Sequence, residues 1–289
     1  MSKQSAAIAR FSELHESGCF VLPNPWDAGS AVYLERLGFK ALATTSAGFA
    51  FSKGLPDGPQ FVSRDLMLDH FRELAAAADL PVNADFQNGY ADDPAGVAEN
   101  VKLCVATGVA GLSIEDSTGV IAKPLYDFNF AVERVRAARA AIDSVSVPGA
   151  VATGSSEPRV LLTARCEAYL VGAPNPLSTS LDRLVAFADA GADCLYAPGV
   201  TDIGEIQEIV KAVAPKPVNV LVSTNNCEVT VSQLADLGVR RISIGGALAR
   251  AAWAGFGHSA KEILERGSFT SFADAMPFAE LTALFTKTR

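Results

Sequence analysis

A single (β/α)8 TIM barrel is the fold this sequence predicts, and three observations predict it. Short apolar runs alternate with longer amphipathic stretches about eight times in succession. Four of these units open on nearly the same phrase: Leu37-Gly38-Phe39, Thr107-Gly108-Val109, Ala190-Gly191-Ala192 and Leu237-Gly238-Val239. Each reads as a helix end, a glycine free to take the left-handed cap, and the start of a strand. Length is the third: 289 residues would ordinarily suggest about two domains, but an α/β barrel of this size is one.

The elements follow in order. Residues 1–16 read as a polar amphipathic helix with Ile8, Phe11 and Leu14 on one side. Cys19-Phe20-Val21-Leu22 is the first apolar run, followed by a helix over 27–37 with Asp27 as its N-cap. A strand over 38–44 enters a glycine-containing loop, and a helix over 64–79 leads to a strand over 81–85. The later strands are expected over 108–115, 160–165, 191–196, 217–222 and 238–244. The helices that follow are expected over 94–107, 130–142, 180–190, 203–213, 231–237 and 247–255. Two stretches stand outside the repeat. Residues 143–157, rich in Ser, Gly, Pro and Val, read as an elongated connection. The tail carries further helix over 272–285, interrupted by Pro277, which a closed barrel does not need; docking on a neighbouring subunit is expected. The division is thus an N-terminal helix (1–17), the barrel (18–256) and a C-terminal helical extension (257–289).

Composition narrows the function classes. Hydrophobic residues make up 49% of the chain and charged residues 19%, enough for a large core. A formal charge of -8 without a basic cluster argues against nucleic acid and anionic membranes as partners. No signal peptide or membrane-spanning run is visible. Cys19, Cys104, Cys166, Cys194 and Cys227 are scattered, without a CxxC pair, so a cytoplasmic protein with reduced thiols is expected.

In such barrels the chemistry lies at the C-terminal strand ends. Pro81-Val82-Asn83-Ala84-Asp85 begins apolar and breaks into polar residues, as a buried strand does when its end faces an active-site mouth. Asp57, Asp85 and Glu115 converging on that mouth would repel one another unless a cation lies between them. With His15, His70 and His258 all away from strand ends, the expected cation is oxygen-preferring: Mg²⁺, with Mn²⁺ as an alternative. The competing reading is that the acids pair with nearby Arg or Lys.

Arg165 ends the apolar Leu161-Leu162-Thr163-Ala164 run, and its planar fork suits a substrate carboxylate or, alternatively, a salt bridge to Glu167 or Glu115. Thr45 and the small residues Ser46, Ala47 and Gly48 follow strand 2, where backbone N–H groups could meet an anionic oxygen. Asn219 or Ser223 stands at the end of strand 7. Gly245-Gly246 reads as close strand–helix packing, and Tyr196 as an amphipathic tyrosine. No strand clearly ends in lysine, and no Ser–His–Asp set stands at the strand ends, which disfavours Schiff-base and serine-nucleophile chemistry.

Several spaced motifs resemble the isocitrate lyase/phosphoenolpyruvate mutase superfamily. They are Asn24-Pro25-Trp26-Asp27-Ala28, Thr45-Ser46-Ala47-Gly48, Leu55-Pro56-Asp57, Asn83-Ala84-Asp85, Ser113-Ile114-Glu115-Asp116, Thr163-Ala164-Arg165 and Ile244-Gly245-Gly246-Ala247-Leu248-Ala249-Arg250. The resemblance implies a helix-swapped homo-oligomer (dimer or tetramer), Mg²⁺, and an anionic substrate with an α-keto or α-hydroxy carboxylate. It places Asp57, Asp85 and Glu115 in the metal shell, and Ser46, Ala47, Gly48 and Arg165 around the carboxylate. The sequence departs from the family in two places. Asn83 stands where relatives carry a second acid, and Phe86-Gln87-Asn88 intervenes before Gly89-Tyr90. The Lys-Lys/Arg-Cys-Gly-His loop of the true lyases is replaced by Ser117-Thr118-Gly119-Val120-Ile121-Ala122-Lys123-Pro124-Leu125-Tyr126.

The expected activity is a Mg²⁺-dependent lyase that cleaves a C–C bond beside a keto or hydroxy acid through an enolate, on an oxaloacetate- or alkylmalate-like substrate. Asp57 and Arg165 would be catalytic, Lys123 or Tyr126 would supply a proton, and Thr45, Ser46, Ala47, Gly48, Arg165 and Asn219 would bind substrate. The alternatives are a phosphonopyruvate mutase or hydrolase, and a catalytically silent keto-acid-binding relative.

Overall fold

The protein is described by a computed structural model over residues 2–147, 159–224 and 229–286. Eight parallel strands form its inner sheet: β1 (Phe20–Leu22), β2 (Leu42–Ala43), β3 (Val82–Asp85), β4 (Gly111–Glu115), β5 (Leu161–Arg165), β6 (Cys194–Tyr196), β7 (Val218–Leu221) and β8 (Arg241–Ser243). From β2 to β8 each strand pairs with the next in sequence, and β1 pairs with β8 in the register Phe20↔Arg241, Leu22↔Ser243. The β1–β2 seam is closed just beyond the strands: the Ala43 N–H donates to the Pro23 carbonyl (3.0 Å) and the Asn24 amide to the Thr44 carbonyl (2.8 Å). The result is a nearly closed (β/α)8 barrel.

The helices are α1 (Lys3–Glu16), α2 (Ala28–Arg36), α3 (Ser46–Ser52), α4 (Arg64–Ala77), α5 (Pro94–Val105), α6 (Phe128–Ser144), α7 (Pro176–Asp189), α8 (Ile203–Val213), α9 (Val231–Asp236), α10 (Ala247–Arg266) and α11 (Phe278–Thr286). Local chemistry sets their ends. Asp27 caps α2 by accepting from the Ser30 N–H (2.7 Å), and Pro94 opens α5 where its missing N–H is harmless. The repeated glycines all take left-handed φ: Gly38 +96°, Gly108 +96°, Gly191 +103° and Gly238 +89°. A residue with a Cβ would be strained there, so each helix stops and the chain turns into the next strand.

α1 plugs the N-terminal end of the barrel. Ile8 and Phe11 are fully buried, each worth about 1.5–3 kcal/mol in transfer terms. A Cβ on Gly111 would come within 2.6 Å of the Phe11 ring, so that glycine makes room for the plug.

Several boundaries differ from the sequence expectation. Ser46–Ser52 is helix rather than loop, because Thr45 caps it by accepting from the Gly48 N–H (3.1 Å). α7 starts earlier than residue 180, with Pro176 at its first turn. α10 runs through Gly255 and Gly257 to Gly267, whose φ of +61° ends it. The tail helix is split as expected at Pro277, into a 3₁₀ turn (Thr270–Asp274) and α11. The elongated connection expected over 143–157 falls largely on residues outside those described. Cys19, Cys104, Cys166 and Cys194 are free thiols, and Cys227 lies outside the described residues. Among the described residues no helix is long and apolar enough to cross a membrane.

Candidate active site

The mouth is built around Ser46, the first residue of α3. Its N–H donates to Asp85 Oδ2 at the end of β3 (3.1 Å), and its side chain faces the Asp57 carboxyl. Ser46 therefore stands between two carboxylates from different loops. The Asp85 N–H in turn donates to Thr44 Oγ1 (2.8 Å), which locks the end of β3 against β2. Burial pushes the Asp57 carboxyl above its ordinary range and the Asp85 charge adds to this; the Ser46 side chain and Arg165 work the other way.

Arg165, at the end of β5, faces three acids. Its Nη1 lies 2.7 Å from Asp85 Oδ1, its Nη2 3.1 Å from Glu115 Oε2 and its Nε 2.9 Å from Glu167 Oε1. Burial opposes the guanidinium's charge, but Glu167, Glu115 and Asp85 outweigh it and hold the group protonated. Burial likewise raises Glu115 and Glu167, with Arg165 offsetting part of the effect. Asp116 turns away from the mouth, bonding Arg183 (2.9 Å) and accepting the Glu167 N–H (2.8 Å), so it orients Glu167. Tyr196 lies under Arg165, 5.2 Å from ring centre to guanidinium, and burial pushes its phenol up to about 12.

A cavity of about 200 Å³ opens here. Thr45, Ser46, Ala47, Asp57, Asp85, Arg165 and Asn219 all line it. Gly48 does not: a Cβ there would meet Thr45 Cγ2 at 2.7 Å, Trp26 Cβ at 3.1 Å and Ala249 Cβ at 3.2 Å, so its glycine serves packing behind the mouth. Its N–H is taken by the Thr45 cap and that of Ser46 by Asp85, which leaves Ala47 as the one uncommitted backbone donor of the three among the described residues.

Glu115 sits behind Arg165 rather than on the cavity wall. The proton-donor reading of Lys123 and Tyr126 meets a different geometry. Lys123 is exposed and pairs with Asp127 (2.7 Å). The Tyr126 hydroxyl donates to Asp92 (2.5 Å) and accepts from Asn88 (3.2 Å), with Arg134 stacked on its ring. Neither lines the cavity, because the 117–126 loop folds back on itself through a Ser117–Leu125 bridge.

Among the described residues no group of three or more His, Cys, Asp or Glu converges as a ready metal cage. The oxygen set nevertheless fits a hard cation that keeps most of its water, which needs only one or two carboxylates. Of the three expected acids, Asp57 and Asp85 both line the cavity and Glu115 stands behind Arg165.

The stretch that departs from the family pattern is strained. Gln87 and Tyr90 take left-handed φ (+47° and +54°), which costs each about 1–3 kcal/mol, and the Gln87 amide and Tyr90 hydroxyl are buried without hydrogen-bond partners among the described residues. Sequence reasoning singled out Asn83 but missed the rest of the polar floor: with it, Ser113, Arg241 and Ser243 line the cavity from below. Alternation in Arg241-Ile242-Ser243, polar at both inward positions of a barrel strand, was the available signal.

The chain matches the family model for phosphoenolpyruvate phosphomutase over residues 11–264. A Burkholderia cenocepacia J2315 protein assigned as a lyase/mutase superposes with a TM-score of 0.90 at 45% identity, covering 98% of this chain and 97% of that one. Oxaloacetate acetylhydrolase, in complex with its product oxalate, superposes with a TM-score of 0.82 at 25% identity, covering 97% of this chain and 94% of that one. The 2-methylisocitrate lyase of Salmonella typhimurium (strain LT2) is 29% identical over 202 residues, which span 68% of this chain and 62% of that enzyme.

Proposed function

Because the chain belongs to the phosphoenolpyruvate phosphomutase family, within the isocitrate lyase/phosphoenolpyruvate mutase superfamily of lyases and mutases, we propose that it is a divalent-cation-dependent lyase. It cleaves a C–C bond beside an α-keto or α-hydroxy carboxylate, on an oxaloacetate- or alkylmalate-like acid. The observation that carries this reading is Asp57, Asp85 and Arg165 lining one cavity of about 200 Å³, with Asp85 held between Arg165 (2.7 Å) and the Ser46 N–H (3.1 Å). The hydrolase that superposes on this chain acts, by its name, on oxaloacetate, and its bound product is oxalate.

Asp85 and Asp57 would hold Mg²⁺ or Mn²⁺ through water, with Glu115 behind Arg165 adding negative charge. That cation would supply Lewis-acid polarisation of the keto oxygen. The Ala47 N–H would add a hydrogen bond to the developing enolate oxygen. Arg165 has five N–H groups and gives three to Glu167, Asp85 and Glu115. One on each terminal nitrogen is left to fix the substrate carboxylate. Thr45 holds α3 in place through its cap. Asn219 orients the lower wall by accepting from Arg241 (2.8 Å).

The same reading includes a homo-oligomer. Only Ala249 and Glu262 of α10 are buried, while Trp253, Phe256 and Leu264 are exposed on it, an apolar surface that a second copy would cover. The assay is turnover of oxaloacetate, alkylmalates and phosphonopyruvate with Mg²⁺ and with chelator. Cation-dependent C–C cleavage supports the lyase. Phosphate release from phosphonopyruvate would move the assignment to P–C chemistry, and silence on every substrate would end it.

A further inference from the structure

The floor of the cavity holds a cation that the mouth chemistry does not use. Arg241 opens β8, is 2% exposed, and lines the bottom of the cavity beside Asn219 and Ser243. Its partners are all neutral: Nε donates to Asn219 Oδ1 (2.8 Å), Nη2 to Thr163 Oγ1 (3.0 Å), and Nη1 meets His15 Nε2 at 3.3 Å.

His15 cannot balance the charge. Its Nδ1 lies 2.7 Å from the Phe11 carbonyl, which only accepts, so Nδ1 carries the hydrogen and Nε2 is the acceptor for Arg241. Burial, with the Arg241 charge behind it, lowers the imidazole to about 3 and keeps it neutral.

No carboxylate of the described residues lies within 4.0 Å of Arg241, whereas three other enclosed arginines have acidic partners. Arg165 has three acids, Arg183 has Asp116, and Arg139 has Asp143 and Asp193. Arg134 likewise has only neutral partners, the backbone carbonyls of Asn88, Ala91 and Asp92, but it does not line this cavity. A buried guanidinium with only neutral acceptors is destabilising unless an anion joins it. Arg241 has five N–H groups, three of them engaged and two left.

We propose that this floor is a second anion subsite, built on Arg241, that takes a carboxylate group. Thr163, which Arg241 bonds, stands two residues below Arg165 on β5. The two guanidinium layers are therefore about 6.6 Å apart along the strand, within reach of one short dicarboxylate. The carboxylate has two possible sources, the far end of a dicarboxylate substrate or a free small monocarboxylate. Only the first rests on the function proposed above.

The test measures acetate, succinate and oxalate binding by titration calorimetry, with Mg²⁺ present, for wild type and Arg241→Met. Succinate is expected to weaken at least tenfold in Arg241→Met, with oxalate changed less than twofold. Acetate binding that depends equally on Arg241 identifies a free anion as the source, and dependence of succinate alone identifies a substrate arm; both uphold the subsite. Equal succinate and acetate affinities in the two proteins, or no binding of either to wild type, overturn it. If Arg241→Met does not fold or also loses oxalate, a bromide-soaked wild-type crystal decides. An anomalous peak at hydrogen-bond distance from the guanidinium supports the site, and its absence overturns it. Loss of turnover on every keto acid with acetate binding intact would end the function proposal and leave the subsite standing.

Discussion

Replacing Arg165 with Gln removes the one positive charge shared by Asp85, Glu115 and Glu167. The four side chains are only 6–18% exposed, so solvent cannot take over the guanidinium's role. With Arg165 the cluster carries two net negative charges; without it, three. The least costly response is for one carboxylate to take up a proton, which restores the original net charge. For a glutamate whose ordinary value is 4.5, holding that proton at pH 7 costs about 3.4 kcal/mol, from about 1.4 kcal/mol per unit over 2.5 units. At pH 5.5 the same step costs about 1.4 kcal/mol.

The sign follows from linkage. A carboxyl raised in the folded state contributes stability that is present at low pH and lost as pH rises through its folded value. Arg165→Gln should therefore unfold more easily than wild type by about 3.4 kcal/mol at pH 7, roughly 7–14 °C in melting temperature, and by less than half of that at pH 5.5. Urea titrations at both pH values, with chelator present, measure it. A deficit independent of pH, or below about 1 kcal/mol at pH 7, would refute the shared-cation reasoning.

Three further outcomes are expected. His70 is 2% exposed, stacked on Phe49 at 4.0 Å with neither ring nitrogen partnered, and burial lowers it to about 4 from 6.5. As a base lowered in the folded state, it loses stability as pH falls through the window from 6.5 towards 4. His70→Phe should remove about 1.4 kcal/mol per pH unit of that slope, read from urea midpoints between pH 6.5 and 5; an unchanged slope would exclude His70 as its source. Gly48→Ala forces a Cβ to within 2.7 Å of Thr45 Cγ2, so α3 must shift. A loss of about 1–3 kcal/mol together with weaker oxalate binding is expected, and calorimetry showing neither would mean the mouth is looser than drawn. Lys123→Ala should leave kcat and KM within about twofold, because an exposed pair such as Lys123–Asp127 is worth little. A drop of a hundredfold would return Lys123 to the reacting centre.

The barrel was legible in the chain because it is written in local chemistry. The glycines at 38, 108, 191 and 238 carry their left-handed φ as a requirement of helix termination, and the strands they introduce are continuous apolar runs because both faces are buried. Asp85 and Arg165 were readable for a related reason: a charged residue at the end of such a run has to face something other than core. Partnership is a different matter. Whether Arg165 meets substrate or Glu115, and whether Glu115 reaches the cavity or stands behind a guanidinium, depends on side chains brought together from β3, β4 and β5. Ser46 holding Asp85, and Arg241 left among Asn219, Thr163 and His15, join residues up to 226 positions apart. By itself the sequence determined the elements and the acids at the mouth, since these follow from backbone preference and burial over a few neighbouring residues. Only the tertiary structure decided which charge neutralises which, because electrostatic pairing is set by distance across the barrel and not along the chain.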